Sequence, residues 1–274
     1  MALKSCQKKY KVSKLSKIHS TAIIHQSCDI DPSVEIGAYS IIGKNVSIDE
    51  NTVIGPHVVI TSDCEIGKDN KIYQFSSISE IPQDKKYNGE RCKLIIGSGN
   101  TIREYCTINR GTEAGGNSIT RVGDNNWIMA YVHIAHDCII GNNNIMSNAT
   151  SLAGHVEMGN NIVLAGYVLV HQFCRIGDYS FVGMNTSITM DIPAYIKVAA
   201  DPARVIGLNT VGMSRNNISD DSITIIKKAY KLIYKKGYKL EDALRRVDRL
   251  EKPARPELQA FIDSINSSER GLLR

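Results

Sequence analysis

Four of the seven histidines in this chain lie within 39 residues of one another, at His133, His136, His155 and His171. A neutral imidazole can take a proton from a hydroxyl group at neutral pH, and an adjacent carboxylate such as Asp137 can orient it. A His-x-x-His spacing with further histidines is also typical of zinc ligands. The cluster therefore predicts either a general base for acyl transfer or a zinc site.

An aliphatic residue recurs at every sixth position through most of the chain. The run is unbroken from Ile18 to Ile78, returns from Ile96 to Ile108, and continues from Val122 to Ile188. A six-residue period fits neither an α-helix nor an ordinary two-faced strand. It is typical of hexapeptide repeats, in which three short strands form one coil of a parallel β-helix. The period predicts an all-β solenoid with the aliphatic side chains inside.

Glycine follows the aliphatic residue in ten of these repeats, and Asn or Asp is frequent just after it, as in the segment 141–144. Gly, Asn and Asp tolerate the positive φ that a tight corner requires. We therefore expect the repeat glycines to be structural.

A coil of eighteen residues also relates the histidines to one another. The spacing from His136 to His155 is nineteen residues and that from His155 to His171 is sixteen. Stacked strands are ~4.8 Å apart, so three histidines near one edge span roughly 10 Å, the scale of a small-molecule site. Asp137 can orient His136 only at a corner, because consecutive strand residues face opposite sides. One coil above His136, the backbone N–H of Gly154 could stabilise an oxyanion.

Charge divides the chain into three parts. Residues 1–17 hold six lysines and no acid, residues 18–203 hold twelve basic and nineteen acidic residues, and residues 204–274 hold fifteen basic and nine acidic residues. We expect the first part to be a flexible extension. The basic C-terminal part is either a solvated face or a docking surface for an acidic partner.

Other classes are disfavoured by composition. No nucleic-acid-binding motif is present and the solenoid is acidic, which argues against a nucleic-acid partner. Seven cysteines at irregular spacings indicate reduced thiols in a cytoplasm. No apolar stretch approaches the ~20 residues of a membrane span.

Beyond residue 203 the apolar period becomes helical. A first helix follows a cap at Ser219 and ends near Gly237, a second covers Leu240–Leu250, and a third covers Glu257–Asn266. We therefore expect residues 204–274 to form an α-helical domain. Two segments of the solenoid, 79–91 and 109–121, break the six-residue period and are predicted to be loops, where functional residues concentrate.

Seven further segments stand in a fixed order along the chain. They are Ile72-Tyr73-Gln74-Phe75, Gln83-Asp84-Lys85-Lys86-Tyr87, Arg110-Gly111-Thr112, His133-Ile134-Ala135-His136-Asp137, Leu152-Ala153-Gly154-His155-Val156, Val170-His171-Gln172-Phe173-Cys174 and Arg270-Gly271-Leu272. Together they resemble the bacterial UDP-N-acetylglucosamine acyltransferases, which carry out the first step of lipid A synthesis. The resemblance runs from residue 18 to residue 274.

The resemblance implies a left-handed parallel β-helix, a C-terminal α-helical domain, and a homotrimer with sites between subunits. It implies transfer of a 3-hydroxyacyl chain from acyl carrier protein to the 3-position of UDP-N-acetylglucosamine, with no metal or other cofactor. His136 would be the general base, Asp137 would orient it, and Gly154 would supply the oxyanion N–H. Matching positions assign substrate binding to Gln83, Asp84, Lys86, His133, His155, His171, Gln172, Asn209 and Arg215.

Two departures from the family pattern have chemical consequences. Met184 stands where long-chain members have Gly, at the end of the acyl groove, and its side chain would displace roughly three to four methylenes. We expect Met184 to limit the chain to a shorter acyl group. Asn216 stands where a second Arg is common, so one phosphate or carrier contact is missing.

Two alternative functions remain open from sequence. One is another hexapeptide-repeat acyltransferase that uses coenzyme A, another nucleotide sugar or a 3-amino sugar. The other is a zinc-dependent β-helix enzyme, which bound metal would distinguish.

Overall fold

The computed structural model describes residues 17–113, 118–251 and 255–274. Residues 1–16 of the basic extension lie outside that range. The described chain is a long series of short strands followed by four helices. The strands are β1 (Ile23–Ile24), β2 (Asp29–Ile30), β3 (Glu35–Ile36), β4 (Ile41–Ile48), β5 (Val53–Ile54), β6 (Val59–Ile66), β7 (Lys71–Ile72), β8 (Ser77–Glu80), β9 (Lys93–Ile96), β10 (Thr101–Ile102), β11 (Thr107–Asn109), β12 (Ile119–Val122), β13 (Trp127–Ile128), β14 (His133–Ile134), β15 (Ile139–Ile140), β16 (Ile145–Met146), β17 (Ser151–Leu152), β18 (Glu157–Met158), β19 (Val163–Leu164), β20 (Leu169–Val170), β21 (Arg175–Ile176), β22 (Phe181–Val182), β23 (Ser187–Ile188), β24 (Ile196–Ala199) and β25 (Arg204–Leu208).

Most of these strands stack in parallel with an eighteen-residue register, which lengthens to thirty residues between β6 and β9 and to 26 between β9 and β12. Ile128 pairs with Met146, and Leu152 pairs with Val170. The stack forms a 15-stranded and a 10-stranded sheet. We call strands β1–β24 the strand body. Its last strand, β24, pairs in the antiparallel direction with β25.

The six-residue period marks the interior of the strand body, as predicted. Every aliphatic residue of the period from Ile36 to Ile188 is buried, and the three before it, Ile18, Ile24 and Ile30, are partly buried against the same core. Cys138 and Cys174 are fully buried as well. β-branched side chains suit this position because they pack well on stacked strands.

The repeat glycines have a different role from the one expected. The positive φ of each corner falls two residues later, for example 56° at Asn143. Gly141 itself is outside the positive-φ set of the described residues. A Cβ on Gly141 would lie 2.4 Å from the carbonyl oxygen of Gly159 in the next coil. These glycines are therefore required by the close approach of stacked backbones.

The first predicted loop leaves the strand body, with shifted bounds. Cys64 of β6 pairs with Leu94 of β9, a separation of thirty residues instead of eighteen, so residues 81–92 form the first loop. The second prediction was wrong at both ends, because Asn109 ends β11 and residues 119–121 already belong to β12. Residues 114–117 of that segment lie outside the described range.

The C-terminal helices largely follow the predicted pattern. They are α1 (Thr210–Arg215), α2 (Asp220–Tyr234), α3 (Leu240–Val247) and α4 (Pro256–Asn266). The Ser219 side chain accepts a hydrogen bond from the Ser222 amide and caps α2, and Gly237 has a φ of 68° just beyond its end. Helix α1 was not predicted, and α3 ends three residues early. Among the described residues, no helix is both long and apolar enough to cross a membrane.

Candidate active site

His136 and Asp137 lie in the turn between β14 and β15, at a corner of the strand body. Asp137 has a φ of 59°, which turns its side chain toward that of the preceding residue. His136 Nδ1 lies 2.8 Å from Asp137 Oδ2. The corner thus provides the arrangement that a straight strand cannot, and two consecutive side chains contact each other.

The Asp137 carboxylate is fixed from the opposite side by Thr112. It accepts hydrogen bonds from the Thr112 amide at 2.9 Å and from Thr112 Oγ1 at 2.7 Å. The Asp137 amide donates to Thr120 Oγ1 at 2.8 Å. Only 3% of the Asp137 side chain is exposed. Thr112 belongs to the motif Arg110-Gly111-Thr112, but no sequence pattern predicts its contact with Asp137.

These hydrogen bonds determine the charge of Asp137 and the tautomer of His136. Burial alone would raise the pKa of Asp137, but the hydrogen bonds from His136 and Thr112 hold it below its ordinary value. An ionised Asp137 accepts a hydrogen bond from the protonated Nδ1 of His136. The lone pair of the neutral His136 imidazole is therefore on Nε2, which is the atom available as a base.

Gly154 lies directly over the His136 ring, one coil above. A Cβ on Gly154 would be 2.7 Å from His136 Cε1 and 2.8 Å from Nε2. Within residues 17–113, 118–251 and 255–274, no group accepts a hydrogen bond from the Gly154 N–H. Nε2 therefore lies next to a residue whose N–H has no acceptor in those ranges, and a base and an oxyanion donor are the roles that these two groups can take.

His155 completes the wall of this corner. Its ring meets that of His136 edge-on, with centroids 5.1 Å apart, and stacks on Phe173 at 4.5 Å. Burial holds the pKa of His155 below its ordinary value, against the opposing charges of Asp137 and Asp84. The imidazole is therefore neutral at neutral pH. Phe173, which belongs to the motif 170–174, is a neighbour of the site that sequence reasoning missed.

The other two histidines of the cluster flank this corner. His133 Nδ1 is 2.7 Å from Thr107 Oγ1, and burial, together with the charge of His136, lowers the pKa of His133. His171 and Gln172 lie in the turn between β20 and β21, one coil above the turn that holds His155, and both are exposed. The eighteen-residue count predicted successive coils for His136, His155 and His171, and these three residues lie in stacked turns.

Asp84 is the member of the first loop that acts on this corner, since its charge reaches His155. Its carboxylate also accepts a hydrogen bond from the Lys86 amide at 2.9 Å. Gln83 and Lys86 are exposed. Of the three predicted loop residues, only Asp84 is thus related to the histidine corner.

Asn209, Arg215 and Met184 lie elsewhere on the chain. Asn209 caps α1, donates to the Tyr179 carbonyl oxygen at 2.8 Å, and with Arg215 lines a cleft of about 730 Å³ between β25, α1 and the strand body. Met184 is 70% exposed and belongs to the turn between β22 and β23. None of these three residues lies in the stacked turns that hold His136, His155 and His171. One chain therefore does not bring all predicted site residues together.

A metal ion has one possible set of ligands in the described ranges, namely His136, Asp137 and His155, whose ligand atoms lie within 4.8 Å of one another. The fit is poor, because both Asp137 oxygens already accept hydrogen bonds from Thr112 and one also bonds His136. A metal at Asp137 would have to displace the contacts that orient His136.

Comparison with known proteins decides the family. The acyl-[acyl-carrier-protein]–UDP-N-acetylglucosamine O-acyltransferase of Ectopseudomonas mendocina is 51% identical over 261 residues, which is 95% of this chain and 100% of the relative. The protein with the same name from Herminiimonas arsenicoxydans is 47% identical over 263 residues, again 95% of this chain and 100% of the relative. This chain belongs to the UDP-N-acetylglucosamine O-acyltransferase family. The family expected from the ordered motifs is confirmed.

Two further comparisons place the UDP-N-acetylglucosamine O-acyltransferase signature along the chain. The family model for domain 2 of these enzymes matches residues 191–273, and the bacterial transferase hexapeptide model, with six repeats, matches residues 119–154. The solved UDP-N-acetylglucosamine O-acyltransferase of Moraxella catarrhalis superposes with a TM-score of 0.91 at 46% identity, covering 94% of this chain and 100% of that one.

Proposed function

We propose that this protein transfers a 3-hydroxyacyl chain from acyl carrier protein to the 3-position of UDP-N-acetylglucosamine, as the first step of lipid A synthesis. The names of its relatives supply the substrates. The observation that carries the mechanism is the close approach of His136 Nε2 to Gly154, where an added Cβ would lie only 2.8 Å away, with Nδ1 fixed by Asp137.

The reaction follows from this geometry. His136 Nε2 removes the proton of the sugar hydroxyl as its oxygen attacks the thioester carbonyl carbon. The Gly154 N–H donates to the developing oxyanion. The tetrahedral intermediate then collapses, the C–S bond breaks, and the departing thiolate takes the proton from Nε2. An ester forms, a thiol is released, and His136 returns to its neutral state.

The reaction needs no metal or other cofactor in this proposal. The hydrogen bonds that saturate Asp137 support this choice over the zinc alternative. Activity retained in full after dialysis against a chelator is the expected result. Loss of activity that zinc restores would instead favour the zinc enzyme.

We infer that the strand body is a left-handed parallel β-helix, an exception to the usual right-handed crossover. The eighteen-residue register supports a regular prism. We also keep the sequence division at residue 203 between the β-helix and an α-helical domain. The six cysteines of the described ranges are free thiols, which supports a reducing compartment such as the cytoplasm.

We further propose a homotrimer in which each site is shared between two subunits. Two observations support it. Asn209 and Arg215 lie away from the His136 corner, so a second copy is needed to supply them. An exposed row of stacked rings also runs along another corner, with centroids 5.0–5.3 Å apart. An exposed apolar surface of this kind is typical of a subunit interface. The row consists of Tyr39, His57, Phe75, Tyr105 and Tyr131.

A complementation experiment tests the shared site. His136→Ala and Arg215→Ala are each expected to be inactive, or nearly so, as pure trimers. Co-expressed at equal levels, they should recover about a quarter of wild-type activity, because random assembly joins intact His136 to intact Arg215 in one site of four. No recovery in mixed trimers would place both residues in one subunit and contradict the proposal.

The reaction itself is tested by mass spectrometry of the product from UDP-N-acetylglucosamine and a panel of acyl carrier protein thioesters. The expected product gains one 3-hydroxyacyl ester, whereas His136→Ala should form almost none and remain trimeric. Acylation only of a 3-amino sugar, or only from coenzyme A, would establish the alternative acyltransferase.

A further inference from the structure

After α4 the C-terminal residues return to the strand body beside Asp191. The Asp191 amide donates to the Gly271 carbonyl oxygen at 2.9 Å, and the Leu273 amide donates to the Asp191 carbonyl oxygen at 2.9 Å. This places Asp191 and Leu272 in a parallel β-bridge. The segment 268–273, which we call the C-terminal tail, is thus attached to the body by its backbone.

The Asp191 side chain fixes the tail more strongly. Asp191 is 1% exposed. One carboxylate oxygen accepts from the Arg175 amide at 2.8 Å. The other accepts from Ser268 Oγ, the Glu269 amide and the Arg270 amide, at 2.8, 2.8 and 2.9 Å. Four donors on one buried carboxylate form short charge-assisted bonds and define the position of the tail.

The consequence of this anchor is the position of Arg270. Its Nη2 lies 3.2 Å from Nδ1 of His171, a residue 99 positions earlier in the sequence. The neighbouring acid, Glu269, pairs instead with Arg175, at 3.1 Å. No carboxylate of the described ranges forms an ion pair with Arg270, and the side chain is exposed. A guanidinium without an ion-pair partner in the described ranges therefore lies at the turn that holds His171 and Gln172.

We propose that Arg270 is an anion-binding residue that holds a phosphate of one of the two substrates, and that Asp191 is its positioning residue. The inference rests on the proposed function. A guanidinium presents a planar fork of donors that matches phosphate oxygens. Both substrates offer such a group, as the diphosphate of the sugar nucleotide and as the phosphodiester of the phosphopantetheine arm on acyl carrier protein.

Steady-state kinetics of Arg270→Gln distinguishes the two sources. We expect KM to rise about tenfold for one substrate, with kcat within about twofold of wild type, because binding is lost equally from ground and transition states. A rise for UDP-N-acetylglucosamine assigns the diphosphate, and a rise for the carrier thioester assigns the phosphodiester. Arg270→Lys should recover part of the loss. The control is Lys44→Gln, which removes an exposed positive charge from β4, and its KM values should not change.

Asp191→Asn tests the positioning role. It should raise KM for the same substrate as Arg270→Gln, and the double variant should show little more than either single one. If the Asp191 variant does not fold, Ser268→Ala removes one donor of the anchor and should give a smaller rise for that substrate.

Two results would overturn the inference. In one, both KM values of Arg270→Gln stay within twofold of wild type. In the other, Asp191→Asn lowers Tm without changing either KM, which would limit Asp191 to a structural role. A wild-type protein that transfers no acyl chain between these substrates would contradict the proposed function instead, so the two failures are distinguishable.

Discussion

Gly154→Ala is the substitution that tests the catalytic corner most directly. Gly154 lies outside the positive-φ residues of the described ranges, so alanine can adopt its backbone conformation. The substitution also keeps the N–H assigned to the oxyanion. What it adds is one methyl group, placed 2.7 Å from His136 Cε1 and 2.8 Å from Nε2. The test therefore perturbs the position of the base and leaves the other groups in place.

The size of the effect follows from these distances. Ordinary contact begins at 3.4 Å, so the His136 ring must withdraw by about 0.7 Å. It cannot do so freely, because Asp137 holds Nδ1 at 2.8 Å and His155 packs edge-on against the ring. A displacement of roughly 1 Å at a reacting group costs about 100-fold in rate. We expect kcat to fall by about 10- to 100-fold with a much smaller change in either KM.

Gly166→Ala is the matched control. Its added carbon would meet only the Asn148 carbonyl oxygen, at 3.4 Å, which is ordinary contact. Both variants remove a similar amount of unfolded-chain entropy, about 0.4–1 kcal/mol. Size-exclusion profiles should show the wild-type oligomer for both variants, and Tm should show that both are folded. Initial rates should give a wild-type kcat for Gly166→Ala alone. If Gly154→Ala keeps a kcat within threefold of wild type while folded, the placement of His136 under Gly154 does not control the reaction.

Three other predictions concern charge, chain length and pH. Asp137→Asn should lower kcat by at least about 100-fold while trimers persist. The reason is that an amide cannot accept the hydrogen bond from Nδ1 together with all the hydrogen bonds from Thr112, as the carboxylate does. Near wild-type rates would contradict the orienting role. Met184→Gly should lengthen the preferred acyl chain by roughly three to four methylenes in rates measured over a thioester series, and an unchanged preference would show that Met184 is not the ruler. Because burial lowers the pKa values of His133 and His155, the unfolded chain binds more protons than the folded one below about pH 6.5. Their contribution to stability is therefore complete above that pH and is lost as pH falls. The midpoint of urea unfolding should be lower at pH 5.5 than at pH 7.5, and this difference should be smaller in His155→Asn. A wild-type midpoint that is equal at the two pH values would refute the predicted loss of stability at low pH.

The repeat made most of the fold predictable, because an aliphatic residue at each sixth position has only the interior of the strand body to occupy. The role predicted for the repeat glycines, the positive φ of each corner, was wrong. A sequence shows which residue types tolerate a positive φ, but it does not show where the carbonyl oxygen of the next coil lies. Gly141 is excluded from bearing a side chain by the neighbouring backbone, while Asn143 supplies the positive φ. Helix α1 escaped prediction because six residues without an apolar period carry no helical signal.

In the candidate site, counting in eighteens brought His136, Gly154 and His155 together, because those residues lie within regular coils. Thr112 was missed for the complementary reason. It lies in a segment whose register across the sheet is 26 residues instead of eighteen, since Val122 pairs with Ile96. No period specifies how such a segment folds back, so its contact with Asp137 is visible only in three dimensions.

The same limit explains why the proposed nucleotide residues lie apart from the base. In the proposed β-helix, a period of eighteen assigns each residue to one of three corners of a prism, and residues of different corners face different directions at every level. Asn209 and Arg215 line a cleft beside β25, and Met184 occupies a third turn, so no rearrangement within one rigid prism joins them to His136. A three-fold assembly does join different corners, because it places one subunit's corner against another's. A site of this kind is completed by assembly, and a variant that stays monomeric should keep the His136–Asp137 contact and lose turnover.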